Sequence, residues 1–299
     1  LKKDYDTRLL TLAERLDILP DKSEENAELT LHALWAKAQG VLVSAARAGS
    51  CELAELSEQK LRYLDELIAL RLSGTPLAHL TERQSFMGLE LLASPDALIP
   101  RVETEIVVRL ALRCLEQCQS GSVCVVDICT GSGNIALAVA SHHASASVFG
   151  ADLSESAVAL ARANAERLQL AERVSFRSGD LLEPFREEEF MGAVDVLICN
   201  PPYIIATNVK KMPKEISLHE PDLAFNGGPM GIAIIDRAIR EAVDFLKPGG
   251  WLCMEMGAGQ GAFVERRLVK SGAYCKVQTD SDSNGIVRAI RCQKLPENV

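Results

Sequence analysis

Residues Val196–Ala206 read VLICNPPYIIA, an apolar run that stops at Asn200-Pro201-Pro202-Tyr203. Proline lacks an amide hydrogen and has a fixed φ, so two in succession cannot continue a central strand. They make a stiff corner that holds the Asn200 side chain and the Pro201 carbonyl as two fixed acceptors, with the Tyr203 ring as an apolar wall. Two acceptors and a flat aromatic suit a planar –NH2 group, either a carboxamide or an adenine amine. Such a nitrogen is a poor nucleophile because its lone pair is delocalised. Hydrogen bonds to both its hydrogens favour the pyramidal geometry needed for attack, and they stabilise the positive charge that develops on nitrogen. Asn200 cannot act as a general base, and this chemistry needs no strong one. A proline-rich loop after a strand would explain the prolines but not the flanking Asn and Tyr.

A second constellation lies upstream, in VCVVDICTGSGNIALAVA. An apolar strand delivers Asp127, and Gly131 and Gly133 then open a helix. Glycines at such a turn let the backbone approach a ligand and leave helix N–H groups free. The next strand, SVFGADLS, ends in Asp152, placed to accept hydrogen bonds from both ribose hydroxyls of a nucleoside. A dinucleotide site would want a full G-x-G-x-x-G, but Cys129 holds the first slot and no third glycine follows Gly133. Asp127 at the mouth would repel pyrophosphate and can take up an ammonium group. S-Adenosylmethionine meets all three demands, and Asp180, in RSGDLLEP after a third strand, is placed for the adenine amine. The expected cofactor set is Asp127, Cys129, Thr130, Gly131, Gly133, Asp152, Leu153, Asp180 and Leu181, with Asn200 at its edge. Cys129 reads as a small residue where bulk is excluded.

These motifs need a sheet to carry them. Candidate strands are 123–127, 147–152, 174–178, 194–200, 251–256, 274–279 and 285–292, with helices at 134–141, 154–168, 232–246 and 260–271 and an irregular piece near 182–188. Strands alternating with helices mean a mostly parallel sheet covered on both faces. The connector DSDSN is too short for a parallel crossover, so the last two strands should pair antiparallel. The corner at Asn200 then lies at the carboxyl edge of the sheet, beside the proposed cofactor, where ligands bind in such folds. Upstream, residues 1–75 read as a small helical domain. SEENAELTLHALWAKAQG starts with capping residues and ends at Gly40, and Leu61, Leu64, Ile68 and Leu72 share a face between Ser57 and Gly74. Residues 76–101 read as a β-hairpin linker, and residues 102–299 as the catalytic domain, starting with a helix from about Glu103 to Cys118.

The chain has 299 residues, enough for two domains or one large one, and 47% hydrophobic residues leave ample material for a core, although the helical module's own core would be thin. It begins with Leu1, not Met, which leaves room for residues upstream. The charged N-terminus lacks a signal peptide's apolar middle, and no run approaches the roughly 18 apolar residues of a membrane span. A net charge of −9 and the lack of a polybasic stripe argue against gripping nucleic acid by its phosphates. The nine cysteines form no C-x-x-C pair and read as small buried hydrophobes in a reducing cytosol. His32, His79, His142, His143 and His219 are too dispersed for a metal, and none is expected. Glu103 and Glu105 fit either acid–base work or a helix dipole.

The chain resembles the protein-glutamine N5-methyltransferases of the HemK/PrmC type, which modify the glutamine of a Gly-Gly-Gln loop in peptide chain release factors. The resemblance runs through GTPLAHLTERQSFMGLEL, LIPRVETE, DICTGSGNIALAVA, NPPY and HEPDLAFNGGPMG. NPPY alone also occurs in DNA and RNA adenine methyltransferases. Its combination with Pro100-Arg101-x-Glu103-Thr104-Glu105 and with Glu220-Pro221 is more specific. The resemblance implies an α/β fold of the class I S-adenosylmethionine-dependent methyltransferases, Rossmann-like, with a mostly parallel seven-stranded sheet, an antiparallel last strand and a small N-terminal helical domain. It implies that Asn200, Pro201, Pro202 and Tyr203 are catalytic, the first two binding the glutamine amide and Tyr203 packing on it. Pro100, Arg101, Glu103, Thr104 and Glu220 would line the substrate pocket, and the N-terminal helices would meet a protein substrate, a release factor. S-Adenosylhomocysteine would be the product, and a cytoplasmic monomer is expected, with no membrane and no direct nucleic acid. The chain departs from the family at Val102, where proline is common, in IIATNVKKMP after Tyr203, and in SNGIVRAIRC near the end. The alternatives are adenine-N6 methylation of nucleic acid, which predicts a basic face or a target-recognition insertion, and a small amide or amine acceptor.

Overall fold

A computed structural model describes residues 2–22, 24–118, 121–209, 211–228 and 230–296. Ser23, Lys210 and Pro229, which fall in segments quoted above, lie outside the described residues. The chain forms two compact units.

The first unit comprises Leu1–Pro95, Ile99–Val102 and Met212–Glu220. Its helices span Lys2–Arg15, Ala27–Gln39, Ala45–Ala48, Glu58–Leu72 and Leu77–Thr81. The Asn26 side chain caps the second by accepting the Leu29 amide at 2.9 Å, and Gly40 closes it. Leu12, Leu31, Leu34, Trp35, Leu64, Leu67 and Ile68 form one core. Leu61 and Leu72, expected on the same face, are half-buried against it. Strands β1 (Arg83–Phe86) and β2 (Leu89–Leu92) pair antiparallel. Met87 and Gly88 between them both have positive φ, as a primed two-residue turn requires.

Segment 212–220 belongs to this unit, although it lies within the stretch 102–299 expected to form the catalytic domain. Buried charge explains why. Glu215 accepts Lys22 Nζ at 2.6 Å and Arg71 Nη1 at 2.7 Å, while Arg71 Nη2 reaches Glu25 at 2.8 Å. All four residues are buried, and buried ions persist only when paired.

The second unit comprises Asp96–Leu98, Glu103–Lys211 and Pro221–Val299. It is built on strands β3 (Val123–Ile128), β4 (Ala146–Asp152), β5 (Val174–Ser178), β6 (Val194–Cys199), β7 (Leu246–Glu255), β8 (Tyr274–Ser281) and β9 (Val287–Lys294). Their spatial order is β5-β4-β3-β6-β7-β9-β8. The first five run parallel, and β9 lies antiparallel to both β7 and β8. β7 starts five residues before the expected Trp251 and β9 ends two beyond Cys292. Every residue of β6 is buried, as a parallel strand covered on both faces must be. Helices at Glu105–Leu115, Asn134–His142, Glu155–Arg167, Ala233–Phe245 and Gly261–Ser271 do the covering, and only a 3-10 turn, Glu183–Phe185, stands between β5 and β6. The strand order reverses between β3 and β6, so the crevice at their carboxyl ends is a topological switch point.

Candidate active site

Both sequence constellations end at that switch point. Ile128 of β3 pairs in register with Cys199 of β6, so the Cys129–Gly133 turn and the Asn200–Tyr203 corner leave the sheet side by side. On the other flank of β6, Cys199 pairs with Met254 of β7.

On the β3 side, Asp127 is fully buried. Its Oδ2 accepts the Thr130 hydroxyl at 2.5 Å, and its Oδ1 has no hydrogen-bond partner. Burial, reinforced by the Asp152 charge, lifts its pKa to about 7 against the pull of that hydrogen bond and of the nearby Ala136 amide. Asp152, at the end of β4, accepts the Gly131 amide through Oδ2 and the Ser154 amide through Oδ1, each at 2.9 Å. The second strand end thus ties down the turn of the first, and burial raises the Asp152 pKa despite those bonds. Cys129, in the slot where a glycine is common, takes a left-handed φ of 60°. Leu153 is exposed beside Asp152, and Leu181 is buried beside Asp180. Asp180 itself is engaged by Arg237, at 3.0 and 3.2 Å, a partner 57 positions away that no local pattern announces. An orphaned, buried carboxylate oxygen beside exposed apolar surface and a carboxylate-capped turn fits the ammonium and nucleoside of S-adenosylmethionine.

On the β6 side, Asn200 Nδ2 donates to Thr104 Oγ1 at 3.4 Å. No described residue donates to Asn200 Oδ1 or to the Pro201 carbonyl, so the corner presents two free acceptors. Tyr203 donates its hydroxyl to Glu255 Oε1 at 3.2 Å, and burial, reinforced by the Glu255 charge, pushes its pKa up. The Tyr203 carbonyl accepts Gln260 Nε2 at 3.0 Å, and the same Gln260 nitrogen reaches the Gly231 carbonyl at 3.1 Å. Gly227, Gly231 and Gly257 close on the corner. A Cβ on Gly231, at φ +67°, would sit 2.3 Å from the Tyr203 carbonyl oxygen. One on Gly257 would meet the Tyr203 ring at 2.9 Å. Only glycine fits at either place.

Of the residues expected at the substrate pocket, Glu103 and Thr104 lie in the second unit, whereas Pro100, Arg101 and Glu220 belong to the first. There Glu220 takes the Ile99 amide at 2.9 Å and pairs with Arg101. Burial opposes the charge of Arg101, but Glu220 and Asp21 outweigh it and hold the guanidinium protonated. Arg101 Nη1 stays buried without a partner, a donor left over for a ligand. Glu105 makes an i,i+4 pair with Arg109, the arrangement of a helix surface.

Glu255, Gln260, Gly231 and Gly257 are not among the residues expected from sequence at the site. Glu255 ends an apolar strand as Asp127 does, and that likeness was the one available signal. All nine cysteines carry free thiols. Among the described residues, no cluster of His, Cys, Asp and Glu could hold a metal ion, and no helix is long and apolar enough to cross a membrane.

Comparison with known proteins agrees with this geometry. Residues 120–288 match a family described as "Methyltransferase domain". A release factor glutamine methyltransferase of Geobacter sulfurreducens is 35% identical over 91% of this chain and 91% of its own length. One from Moorella thermoacetica is 38% identical over 78% of this chain and 80% of its own. Among solved structures, the human methyltransferase 10 domain containing protein has a TM-score of 0.53 at 16% identity, covering 80% of this chain and 98% of that one. The N-terminal domain of human METTL16, in complex with SAH, has a TM-score of 0.51 at 17% identity, covering 76% and 82%. These two share the class I methyltransferase fold. The chain belongs to the release factor glutamine methyltransferase family.

Proposed function

We infer that the chain transfers a methyl group from S-adenosylmethionine to the side-chain amide nitrogen of a glutamine in a protein, the Gly-Gly-Gln loop of a peptide chain release factor. The observation that carries this reading is the pair of free acceptors, Asn200 Oδ1 and the Pro201 carbonyl, on a corner one strand away from the orphaned Asp127 Oδ1.

Bound S-adenosylmethionine supplies an electrophilic methyl group on a sulfonium sulfur. Asp127 holds its ammonium group and Asp152 its ribose hydroxyls, with Cys129, Thr130, Gly131, Gly133, Leu153 and Leu181 shaping the cradle. Asp180 serves the adenine amine while sharing its carboxylate with Arg237. Asn200 and Pro201 each take one N–H of the glutamine amide. This holds the nitrogen lone pair out of conjugation and spreads the positive charge that grows on nitrogen. Pro202 stiffens the bend, and the Tyr203 ring walls the amide. The methylated nitrogen then loses one proton to solvent, so no strong base is required.

Residues 1–75 serve substrate recognition, the 76–101 hairpin links them, and 102–299 carry catalysis. Pro100, Arg101, Glu103, Thr104 and Glu220 contact the acceptor protein, with Arg101 Nη1 free to donate to it. The enzyme works as a cytoplasmic monomer. The test is to incubate it with radiolabelled S-adenosylmethionine and, in parallel, release factors, tRNA, DNA and small amides. Label in the Gly-Gly-Gln peptide of a release factor supports the assignment; label in nucleic acid or small amides alone overturns it.

A further inference from the structure

We propose that Glu255 and Gln260 are positioning residues for methyl transfer, clamping Tyr203 by its hydroxyl and its carbonyl so that the ring keeps one place beside the acceptor amide; this rests on the reading of the Asn200–Tyr203 corner as the amide site. The prolines fix φ at positions 201 and 202, but not the course of the chain beyond them or the side-chain torsions of Tyr203. Groups distant in sequence must therefore set where that ring stands. Three of them come from one short stretch, Glu255–Gln260, which leaves β7 and leads into the Gly261–Ser271 helix.

Gln260 holds the backbone. A glutamine amide has two N–H bonds and an acceptor oxygen. Here Nε2 donates to the Tyr203 carbonyl at 3.0 Å and to the Gly231 carbonyl at 3.1 Å, and Oε1 accepts the Gly257 amide at 2.9 Å. Both hydrogens of the amide are used, and one side chain ties together three loop positions. The flipped amide would set Oε1 against two carbonyl oxygens and Nε2 against an N–H, so these partners admit a single orientation. A glutamate carboxylate has the same shape but offers no donor to either carbonyl.

Glu255 holds the other end. It is 4% exposed, with Oε1 taking the Tyr203 hydroxyl at 3.2 Å and Oε2 left without a hydrogen-bond partner. Burying a half-satisfied carboxyl costs stability, so packing gives no reason for one here. Gly257 closes the ring edge, since a Cβ there would stand 2.9 Å from the Tyr203 Cδ2. The ring is thus held at its hydroxyl, along one edge and through its own backbone. With its hydroxyl proton committed to Glu255, Tyr203 offers the acceptor an aromatic wall and no hydrogen bond. A wall displaced by about 1 Å is enough to cost about 100-fold in rate.

A double-mutant cycle and an isosteric substitution test the clamp, with a release factor as methyl acceptor. Glu255→Leu should lower kcat at least about tenfold, and Glu255→Gln, which keeps an acceptor for the hydroxyl, should recover it to within about threefold of wild type. Tyr203→Phe removes the same hydrogen bond from the other side, so Glu255→Leu added to it should cost less than about twofold more. Gln260→Glu should also lower kcat at least about tenfold. Calorimetric affinity for S-adenosylhomocysteine should stay within about threefold in the Glu255 and Gln260 variants, since the groups assigned to the cofactor's ammonium and ribose stand on β3 and β4. A Glu255→Leu or Gln260→Glu enzyme with the wild-type kcat overturns the clamp. So does a Glu255→Leu loss that is the same with and without Tyr203→Phe, a Glu255→Gln enzyme as slow as Glu255→Leu, or a parallel loss of kcat and product affinity. Should Glu255→Leu or Gln260→Glu fail to fold, Glu255→Ala and Gln260→Ala are read by the same criteria. Failure of the underlying reading looks different, because Asn200→Ala would then still methylate the release factor.

Discussion

The Thr130 hydroxyl occupies one oxygen of the buried Asp127 carboxylate at 2.5 Å and leaves the other without a partner. An ammonium ion at that free oxygen needs the carboxylate, not the acid. Asp127 in the free protein titrates near 7 because burial raises it. A carboxyl raised on folding contributes to stability below the ordinary carboxylate range and loses that contribution as pH rises through its folded value. Ligand affinity runs the other way. Calorimetric affinity for S-adenosylhomocysteine should be flat above pH 8 and fall toward tenfold per unit below about 6. Asp127→Asn should weaken binding at pH 8 and abolish the slope; an unchanged slope in that variant would remove Asp127 from the ammonium site.

Asn200 and Asp127 stand on neighbouring strands but are assigned different tasks. Asn200→Ala should therefore eliminate methyl transfer while product affinity changes by no more than about tenfold, ~1.4 kcal/mol. Single-turnover rates and calorimetry on one preparation separate the two. Equal losses in both would contradict the division of labour.

Gly231 offers a way to move the corner without touching its chemistry. Alanine there would put a methyl group 2.3 Å from the Tyr203 carbonyl, at a φ of +67° that alanine resists, and would displace the segment Gln260 clamps. We expect Gly231→Ala to lower kcat at least about tenfold with cofactor affinity nearly intact, since a displacement of about 1 Å suffices for such losses. A fully active variant would show that the corner tolerates movement.

In the first unit, Arg71 bridges Glu25 and Glu215 with its side chain almost wholly buried. Removing one partner of a buried ion cluster strands the rest, at a cost of about 3–5 kcal/mol. Arg71→Met should lower the free energy of unfolding measured in urea by that amount, and a loss under about 1 kcal/mol would mean that the carboxylates find water or other partners.

How much of this was legible beforehand follows from the range of the interactions. The Asp127 turn and the Asn200 corner are local: a strand, a kink and the residues that make it lie within ten positions, so their types and order suffice to propose a nucleoside site and an amide-binding bend. The capped helices and the Met87-Gly88 turn are local for the same reason. Glu215 could not be read that way. In the sequence it is an acid among lysines in a polar loop, and only folding brings Lys22 and Arg71 to it. Arg237 on Asp180 is likewise a pairing between distant positions.

The sequence by itself determined the alternation of strands and helices, the acids at strand ends and the proline-stiffened bend, because each depends on near neighbours and on the periodicity of apolar residues. Tertiary structure alone decided which groups stand behind the bend. The register of β6 against β7 sets Glu255 beside Asn200, and the start of the Glu105–Leu115 helix supplies Thr104. The return of the chain brings Gly231 and Gln260 onto Tyr203. Such contacts arise from strand pairing and packing across long stretches of chain, and no local pattern of residue types encodes them.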